Sequence, residues 1–340
     1  MEFCHLKKTE YLIYRHFRHF RQFRHLSLIL TELTALQGPI LLSTVSVEAY
    51  SMDYLLHILI LALIYAVFAM SLNLELGFVG LYNFGHVAFF GIGAYTTALM
   101  SIAGYPATLG IVCGMVLSGM AGALLAIPAL RLTGDYFGIA TLSFGEIIRL
   151  FFLNERWLTK GPMGIPGIPR PAWIAEGVAG LPRFLIFCAL LALVVFLVTR
   201  RLAQSPFGRA LKVVREDEYV AQALGKNTLS FKIRAVAAGS ILAGLAGSLW
   251  ALYISYISPG DFTLNETILV LLCVVLGGRG TLWGPILGAF AVIFFQEVVR
   301  FLPIPGAFER FVAPIQGMIY GALLILLMLK RPEGLLPEYK

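Results

Sequence analysis

Charged residues are scarce in this chain and are absent from one long stretch. Asp, Glu, Lys and Arg make up 13% of the 340 residues, and none of them occurs between Leu76 and Leu130. A helix needs about 20 apolar residues to cross a hydrocarbon core about 30 Å thick. The stretch is therefore long enough for two crossings, with a turn predicted at residues 104–106. Since a soluble domain does not bury such a stretch, the sequence predicts an integral membrane protein.

Cysteine pairs and nucleotide-binding loops are also lacking. The four cysteines lie far apart, with no CxxC pair, which argues against a disulfide framework or a zinc site. Residues 142–146 (LSFGE) resemble the signature sequence of ABC ATPases, but the chain has no GxxxxGK[ST] phosphate loop. No His, Ser and carboxylate residues recur at catalytic spacing. We therefore expect no enzymatic activity, no cofactor and no metal site.

The charge that is present is mostly basic. The formal net charge is +7, from 26 Lys and Arg against 19 Asp and Glu. In a membrane protein such an excess indicates cytoplasmic loops that face anionic lipid, rather than nucleic-acid binding. Residues 200–234 carry the largest basic excess between two apolar segments and are predicted to be cytoplasmic. The first 25 residues alternate Arg, Phe and His, which favours a basic, aromatic interfacial anchor over a metal site.

Charge-free windows predict the topology. The predicted spans are residues 54–74, two within 76–130, 136–153, 184–199, 235–260, 268–278, 281–296 and 311–329. A tenth crossing within residues 26–47 would place both termini in the cytoplasm, as the basic residues require. The predicted fold class is therefore all-α: a polytopic membrane protein with about ten transmembrane helices. Residues 1–50 form an N-terminal segment with the possible first span, 51–335 the membrane domain and 336–340 a cytoplasmic tail; translation from Met52 is the alternative.

Glycines and a few charges mark the membrane interior. Two pairs of glycines, Gly77 with Gly277 and Gly80 with Gly280, are separated by the same interval, which indicates either a duplicated half, as in many transporters, or chance. Intramembrane charges are functional candidates by default. Glu146 and Arg149 share a helix face and are predicted to pair. The candidates for pathway or packing roles are Gly77, Gly80, Gly85, His86, Gly91, Gly93, Glu146, Gly277, Gly278, Gly280 and Gly284.

The basic loop, residues 203–232, has the pattern of an amphipathic helix. Ser205 can cap its start, Pro206 suits the first position and Gly225 suits the exit. The apolar residues predicted on one face are Leu211, Val214, Ala221 and Leu224. Spacing alone leaves two interpretations open: a helix that lies on the membrane surface, and a docking helix for a soluble partner.

Five stretches of the chain resemble one family. They are residues 77–95, 130–171, 208–227, 243–262 and 276–289. From about Asp53 to the RPEGL sequence at residues 331–335, the chain is similar to the LivM-type permease subunit of branched-chain amino-acid ABC importers. The sequence departs from the family pattern at Glu75, Tyr82 and Asn83.

The resemblance implies an ABC importer permease domain over residues 51–335 and a set of partners. These would be a second, homologous LivH-like permease, two cytoplasmic ABC ATPases that supply ATP hydrolysis, an extracytoplasmic substrate-binding protein and the lipid bilayer of the plasma or inner membrane. The Ala221-x-x-x-Gly225 element resembles the ATPase-docking loop of importers. The ATPase-coupling residues that the resemblance implies are Gly208, Arg209, Arg215, Glu216, Ala221 and Gly225.

The resemblance also implies a substrate class. Residues 159–171 are similar to the amino-acid branch of the family rather than to its urea and short-amide branch, so branched-chain or other hydrophobic amino acids are expected. Two alternatives stay open: a urea or short-amide ABC permease, and an ion-coupled secondary transporter that uses Glu75, Asp135 and Glu146. A structural or signalling membrane protein, with the basic loop as its interaction platform, is a third.

Overall fold

The structure is a computed structural model that describes residues 39–131, 136–171, 180–300, 318–319, 321–322, 325–326, 329–330 and 334–336. Side chains are described from Met52 onward, apart from those of residues 298–300. The chain divides into two compact units, Met1–Leu55 and Leu56–Lys340. The described residues of the first unit, 39–55, are all helical.

Helices make up almost all of the described structure. In chain order the elements are α1 Pro39–Val79, α2 His86–Ile102, α3 Ala107–Ala129, α4 Tyr136–Asn154, α5 Arg156–Thr159, β1 Ile165–Pro166, α6 Gly180–Gln204, α7 Pro206–Glu216, α8 Glu218–Ala223, α9 Thr228–Ile254, β2 Tyr256–Ile257, α10 Leu264–Gly277 and α11 Gly284–Arg300. Short 3-10 helices occupy Gly161–Met163 and Pro259–Asp261. Strands β1 and β2 form one antiparallel pair, with Ile165 opposite Ile257. The all-α prediction is confirmed.

Six segments of the described residues are helical, long and apolar enough to cross a membrane. They are Met52–Val79, Ala107–Ala129, Tyr136–Asn154, Gly180–Gln204, Thr228–Ile254 and Pro259–Gly277. Two shorter apolar helices cover His86–Ile102 and Gly284–Glu297. These eight correspond to eight of the predicted spans. The ninth, residues 311–329, lies mostly outside the described residues.

The turn that was predicted within the charge-free stretch is present. Gly104 adopts φ +86°, a left-handed conformation that glycine reaches without steric strain, and Pro106 precedes the start of α3. Two other boundaries differ from the prediction. Helix α9 begins at Thr228 because the Asn227 side chain caps it, accepting from the Ser230 N–H at 3.1 Å. It ends at Ile254, before Ser255 with φ +58°, rather than at residue 260.

The structure shows a continuous helix where the sequence predicts the end of the crossing at residues 26–47. Residues 39–79 form α1 without interruption, so no turn separates residues 39–47 from the span that follows them. The predicted boundary at residue 47 is therefore wrong, because nothing in the sequence there breaks the helix. Residues 1–38, including the arginine, phenylalanine and histidine pattern and the start of the predicted crossing, lie outside the described residues.

Helices α2, α3 and α9 form the centre of the fold and meet through small residues. A Cβ added at Gly93 of α2 would lie 2.1 Å from the carbonyl oxygen of Gly244 in α9, and one at Gly247 would lie 1.8 Å from that of Phe90. Ser118 of α3 donates to the Phe89 carbonyl at 2.9 Å. Close packing of this kind replaces the hydrophobic effect, which does not act between helices in lipid. The small residues of α9 therefore allow the helices to approach closely.

The connecting segments gather at the two ends of α9. The basic loop leads directly into its start at Thr228, while its end leads into β2, which pairs with β1. The N–H of Gly167 donates to the Ser255 carbonyl at 3.0 Å. Residues 161–168 therefore lie at the end of α9 opposite to the basic loop.

Candidate coupling site and interior polar cluster

The basic loop contains two helices rather than the single one predicted. Ser205 caps α7, accepting from the Gly208 N–H at 3.2 Å, and Pro206 occupies the first turn as expected. The helix ends at Glu216 because Asp217 is extended, with φ −153° and ψ 111°. The Asp217 side chain instead caps α8, accepting from the N–H groups of Tyr219 and Val220.

One face of α7 packs against the membrane helices. Leu211 and Val214 are buried, as predicted, and Gly208 is buried beside the end of α6. A Cβ at Gly208 would lie 2.3 Å from the Leu202 carbonyl oxygen, so the close approach of α7 requires glycine. Phe207 stacks on Phe231 of α9 at 5.5 Å between ring centroids. Arg209 and Glu216 are exposed on the other side of α7.

Helix α8 presents apolar side chains to solvent. Ala221 is buried as predicted, but Leu224 is 67% exposed, so its predicted place on the buried face is wrong. The break at Asp217 rotates α8 relative to α7, which moves Leu224 outward. Tyr219 is 83% exposed and Val220 is half exposed. We call Tyr219, Val220 and Leu224 the α8 patch.

Both ends of α8 are fixed. Gly225 follows it with φ +74°, and its N–H donates to the Gln222 carbonyl at 2.9 Å. A positive φ at this position favours glycine. Glu218 and Lys232 form an ion pair at 2.6 Å, which ties α8 to α9. The α8 patch is therefore held in a defined orientation.

Arg215 joins the basic loop to the end of α1. Its Nη1 donates to the Gly77 carbonyl. Its Cγ lies 3.1 Å from the position that a Cβ at Gly80 would occupy, and Gly80 itself has φ +79°. The side chain of Arg215 thus packs against the backbone of Gly80, where a Cβ would crowd it.

The glycines near residue 280 lie beside those at the end of α1. A Cβ at Gly77 would lie 2.5 Å from the Gly280 backbone nitrogen, and one at Gly277 would lie 1.8 Å from the Gly284 carbonyl oxygen. Gly278 and Gly280 have positive φ values of 117° and 77° in the turn between α10 and α11. Gly80 and Gly280 follow their helices with nearly the same φ. The structure thus brings Gly280 next to Gly77, and the internal duplication stays a prediction.

A second group, the interior polar cluster, comprises Ser71, Glu75, Asn83 and His86. All four are 0% exposed. Asn83 Nδ2 donates to Glu75 Oε2 at 2.7 Å, and Asn83 Oδ1 accepts from the Gly85 N–H at 3.0 Å. His86 Nδ1 lies 3.3 Å from Glu75 Oε1, and its Nε2 lies 2.8 Å from Ser71 Oγ.

Hydrogen-bond accounting places one proton between Glu75 and His86. The Ser71 hydroxyl donates to the Phe68 carbonyl at 2.6 Å, so it accepts from Nε2–H of His86. Nδ1 then faces Glu75 Oε1 with no other partner for either atom. Two bare lone pairs would repel each other, so a proton belongs to this pair, on the imidazole or on the carboxyl group. The predicted packing role of His86 fits this arrangement.

Other predicted residues occupy helix contacts. A Cβ at Gly85 would lie 1.9 Å from the Thr141 carbonyl oxygen, and one at Gly91 would lie 2.9 Å from the Phe152 ring. Glu146 pairs with Arg149, whose Nε donates to Glu146 Oε2 at 2.9 Å, as predicted. That pair is partly exposed and lies apart from the interior polar cluster. The Glu146 side chain therefore does not belong to the interior polar cluster.

Asn83 and Glu75 were visible in the sequence only as departures from a family pattern. The structure shows that these two departures contact each other. Asn73, which bonds to the turn between α10 and α11, had no sequence signal at all, because one asparagine within an apolar helix resembles a chance polar residue. Among the described residues, no group of three or more His, Cys, Asp or Glu side chains is placed to hold a metal ion.

The fold and these sites define a polytopic α-helical membrane transport protein with an ordered polar loop on one side. Residues 54–328 match the family described as "Branched-chain amino acid transport system / permease component". The chain belongs to this family and is a transport permease subunit of an ABC importer rather than an enzyme. It is a multi-pass inner-membrane protein, and permeases of this type work with ATPase and binding-protein partners.

Individual relatives agree with the family. The chain is 35% identical over 304 residues to the high-affinity branched-chain amino acid transport system permease protein LivM of Escherichia coli, covering 82% of this chain and 68% of that one. It is 28% identical to the probable LivM of Methanocaldococcus jannaschii, covering 85% and 94%. It is 29% identical to the autoinducer 2 import system permease LsrC of Salmonella paratyphi B, covering 64% and 59%. No solved structure matches the chain.

Proposed function

We propose that this chain forms half of the membrane pathway of an ATP-driven importer of branched-chain amino acids. A second, LivH-like permease would form the other half, and an extracytoplasmic binding protein would deliver the substrate. The relatives named LivM, which match most of this chain, support this substrate class over urea and short amides. The observation that carries the mechanism is the fixed, apolar α8 patch on a basic loop.

The α8 patch is suited to a protein partner. Tyr219, Val220 and Leu224 expose apolar surface next to charged Glu216 and Asp217, a composition typical of an interface core with a polar rim. A membrane-surface helix would need basic residues around its apolar face, whereas Glu216 and Asp217 precede this patch and Lys226 follows it, so its rim carries both signs of charge. Two cytoplasmic ATPases, one on each permease, are the partners that fit an importer. With the basic loop in the cytoplasm, the span predicted at residues 311–329 would place the C-terminus there as well, and the N-terminus would follow only with a separate crossing before residue 39.

The contacts of α7 suggest how nucleotide-driven closure reaches the membrane. Leu211 and Val214 bury α7 against the helices, and Arg215 bonds to the end of α1. A movement of the ATPase that displaces α8 would therefore carry α7 and the end of α1 with it. Rigid-body motion of packed elements is a common route for such transitions.

The ion-coupled alternative needs carboxylates that are free to bind and release ions. Glu75 is buried and occupied by Asn83 and His86, and Glu146 is paired with Arg149. Asp135 lies outside the described residues. The engaged carboxylates favour the ATP-driven importer.

Reconstitution tests this proposal. The permease pair, the ATPases and the binding protein are placed in proteoliposomes with ATP inside, and uptake of labelled leucine is measured with and without an ionophore. We expect ATP-dependent uptake that survives the ionophore and is inhibited by valine but not by urea. Uptake that disappears with the ion gradient at constant ATP would refute the importer, and inhibition by urea would refute the substrate class.

Arg215→Glu tests the coupling role. The variant places a carboxylate against the Gly77 carbonyl, so the loop should detach from α1 and uptake should fall about tenfold or more, while membrane insertion stays normal. Asn265→Ala, an exposed change at the far end of α10, is the control. Unchanged uptake in Arg215→Glu would exclude the coupling assignment.

A further inference from the structure

Asn73 lies where three segments of the chain meet. It belongs to α1, one turn before Gly77, and is 3% exposed. Its Oδ1 accepts from the Gly280 N–H at 3.0 Å, and its Nδ2 donates to the Thr281 carbonyl at 2.8 Å. One carboxamide therefore satisfies two backbone groups of the turn between α10 and α11. We call Asn73, Gly77, Arg215, Gly280 and Thr281 the junction.

The chemistry of the junction is specific to asparagine. Aspartate would keep an acceptor for Gly280 but lose the donor to Thr281, and alanine would leave both backbone groups without a partner. Gly77 keeps the surfaces close, since a Cβ there would lie 2.5 Å from the Gly280 nitrogen and 2.1 Å from Asn73 Oδ1. The bond between Arg215 and Gly77 attaches α7 to the same turn of α1.

The turn held by Asn73 controls the ends of two helices. Thr281 Oγ1 accepts from the Gly284 N–H at 3.0 Å and donates to the Gly278 carbonyl at 2.8 Å, which fixes the start of α11. The tail attaches here as well, because the N–H groups of Leu335 and Leu336 donate to the carbonyls of Leu276 and Gly277 at 2.8 and 3.0 Å. A displacement of the turn would thus move α10, α11 and the tail together.

We propose that Asn73 is a positioning residue that transmits movement of the basic loop from α1 to α10 and α11 during transport. The route runs from α7 through Arg215 to the Gly77 carbonyl, and from α1 through Asn73 to Gly280 and Thr281. This inference rests on the proposed function, since it describes how an ATPase-driven movement spreads beyond α1. Without Asn73, α1 would move while the α10–α11 turn lags behind it.

The first test is the ratio of leucine imported to ATP hydrolysed in proteoliposomes. In Asn73→Ala we expect the complex to assemble and hydrolyse ATP, while the ratio falls about tenfold, within the range found for coupled sites. The apparent affinity for the binding protein should stay unchanged. The double variant Asn73→Ala/Arg215→Ala should fall no further than the worse single variant, because both changes interrupt one route. The control Asn265→Ala should match the wild type.

The wild-type measurement in the second test does not depend on how well Asn73→Ala folds. Spin labels are placed at V213C in α7 and R279C in the turn, both exposed positions, with the native cysteines replaced by serine. In otherwise wild-type protein the distance between the labels should stay constant between nucleotide-free and nucleotide-bound complexes. In Asn73→Ala it should change with nucleotide.

The outcomes separate the two proposals. If the wild type shows no ATP-dependent uptake, the proposed function fails and this inference fails with it. If wild-type uptake is normal, a wild-type ratio in Asn73→Ala, additive losses in the double variant, or a label distance that changes in the wild type would each overturn the inference alone.

Discussion

Glu75 offers the sharpest test of the interior polar cluster. Its carboxyl group accepts from Asn83 and shares a proton with His86, at a site with 0% exposure. Gly239 of α9 leaves room for the Glu75 carboxyl group, since a Cβ at that position would lie 2.5 Å from Glu75 Oε1. Glu75→Gln preserves both interactions, because the amide oxygen can accept from Asn83 and the amide nitrogen can donate to Nδ1 of a neutral imidazole. Glu75→Ala preserves neither.

The two variants should therefore differ widely in stability. Glu75→Ala leaves the Asn83 amide and His86 Nδ1 buried without partners and creates a cavity, so we expect a loss of about 3–5 kcal/mol in the free energy of unfolding. Glu75→Gln should lose less than about 1.5 kcal/mol. If His86 acts mainly through Glu75, the double variant Glu75→Ala/His86→Ala should lose less than the sum of the single variants, by about 1–3 kcal/mol.

Unfolding of the purified protein in detergent, followed by circular dichroism, measures these differences. Glu155→Ala is the control, because that carboxylate bonds to the exposed Trp157 and should contribute less than about 1 kcal/mol. Equal losses in Glu75→Gln and Glu75→Ala would contradict the expectation that an amide can replace the carboxyl group, since the cluster would then require a carboxylate. A small loss in Glu75→Ala would refute the view that the cluster stabilises the fold.

Two further predictions concern α8. Gly225→Ala should keep transport and lose about 1–2 kcal/mol at most, because φ is +74° but no atom lies within 4 Å of the added Cβ; Gly225→Pro, which also removes the N–H that bonds to Gln222, should abolish uptake without preventing membrane insertion. Burial alone would raise the pKa of Glu218, but hydrogen bonds from Lys232 and Thr228, with the charge of Lys232, together lower it. The ion pair between Glu218 and Lys232 should hold at neutral pH and weaken as the pH falls through that lowered pKa. The protection factors of the α8 amides, which correct for the slower intrinsic exchange in acid, should therefore fall. In Glu218→Gln they should already be low at neutral pH, and equal protection in both proteins would contradict this.

Local rules explain which features could be predicted. The caps at Ser205 and Pro206 and the turn at Gly104 depend on a few neighbouring residues, and all were predicted correctly. The same rules could have predicted the break in the basic loop, because Asp217 is a good helix cap and is followed by Glu218, an acidic residue that suits a first helical turn. The amphipathic pattern concealed it, since Leu211, Val214 and Ala221 fit one continuous helix.

Features that depend on the path of the chain could not be predicted. Asn73 contacts residues more than 200 positions away, and Glu75 meets His86 only because the chain turns back between α1 and α2. No local pattern specifies such meetings. The sequence could show that Glu75 and Asn83 were unusual, but the structure was needed to show that their side chains bond to each other.

The position of His86 explains why the interior polar cluster exists. His86 begins α2 but bonds to Ser71, which lies eight residues before the end of α1. At about 1.5 Å per residue, α2 therefore begins roughly 12 Å inside the end of α1. Residues 80–85 return to that depth without being helical, and non-helical backbone is tolerated there only where the protein supplies its hydrogen-bond partners.

Those partners are the polar residues of the interior. The N–H of Leu81 bonds to the Glu75 carbonyl, that of Phe84 to Thr141 Oγ1 and that of Gly85 to Asn83 Oδ1. Glu75 in turn accepts from Asn83 Nδ2 and so holds Asn83 beside the start of α2. These side chains are thus committed to the backbone of residues 80–85. Polar groups engaged in this way are not available to bind a driving ion, which agrees with a transport cycle driven from outside the membrane, through the basic loop.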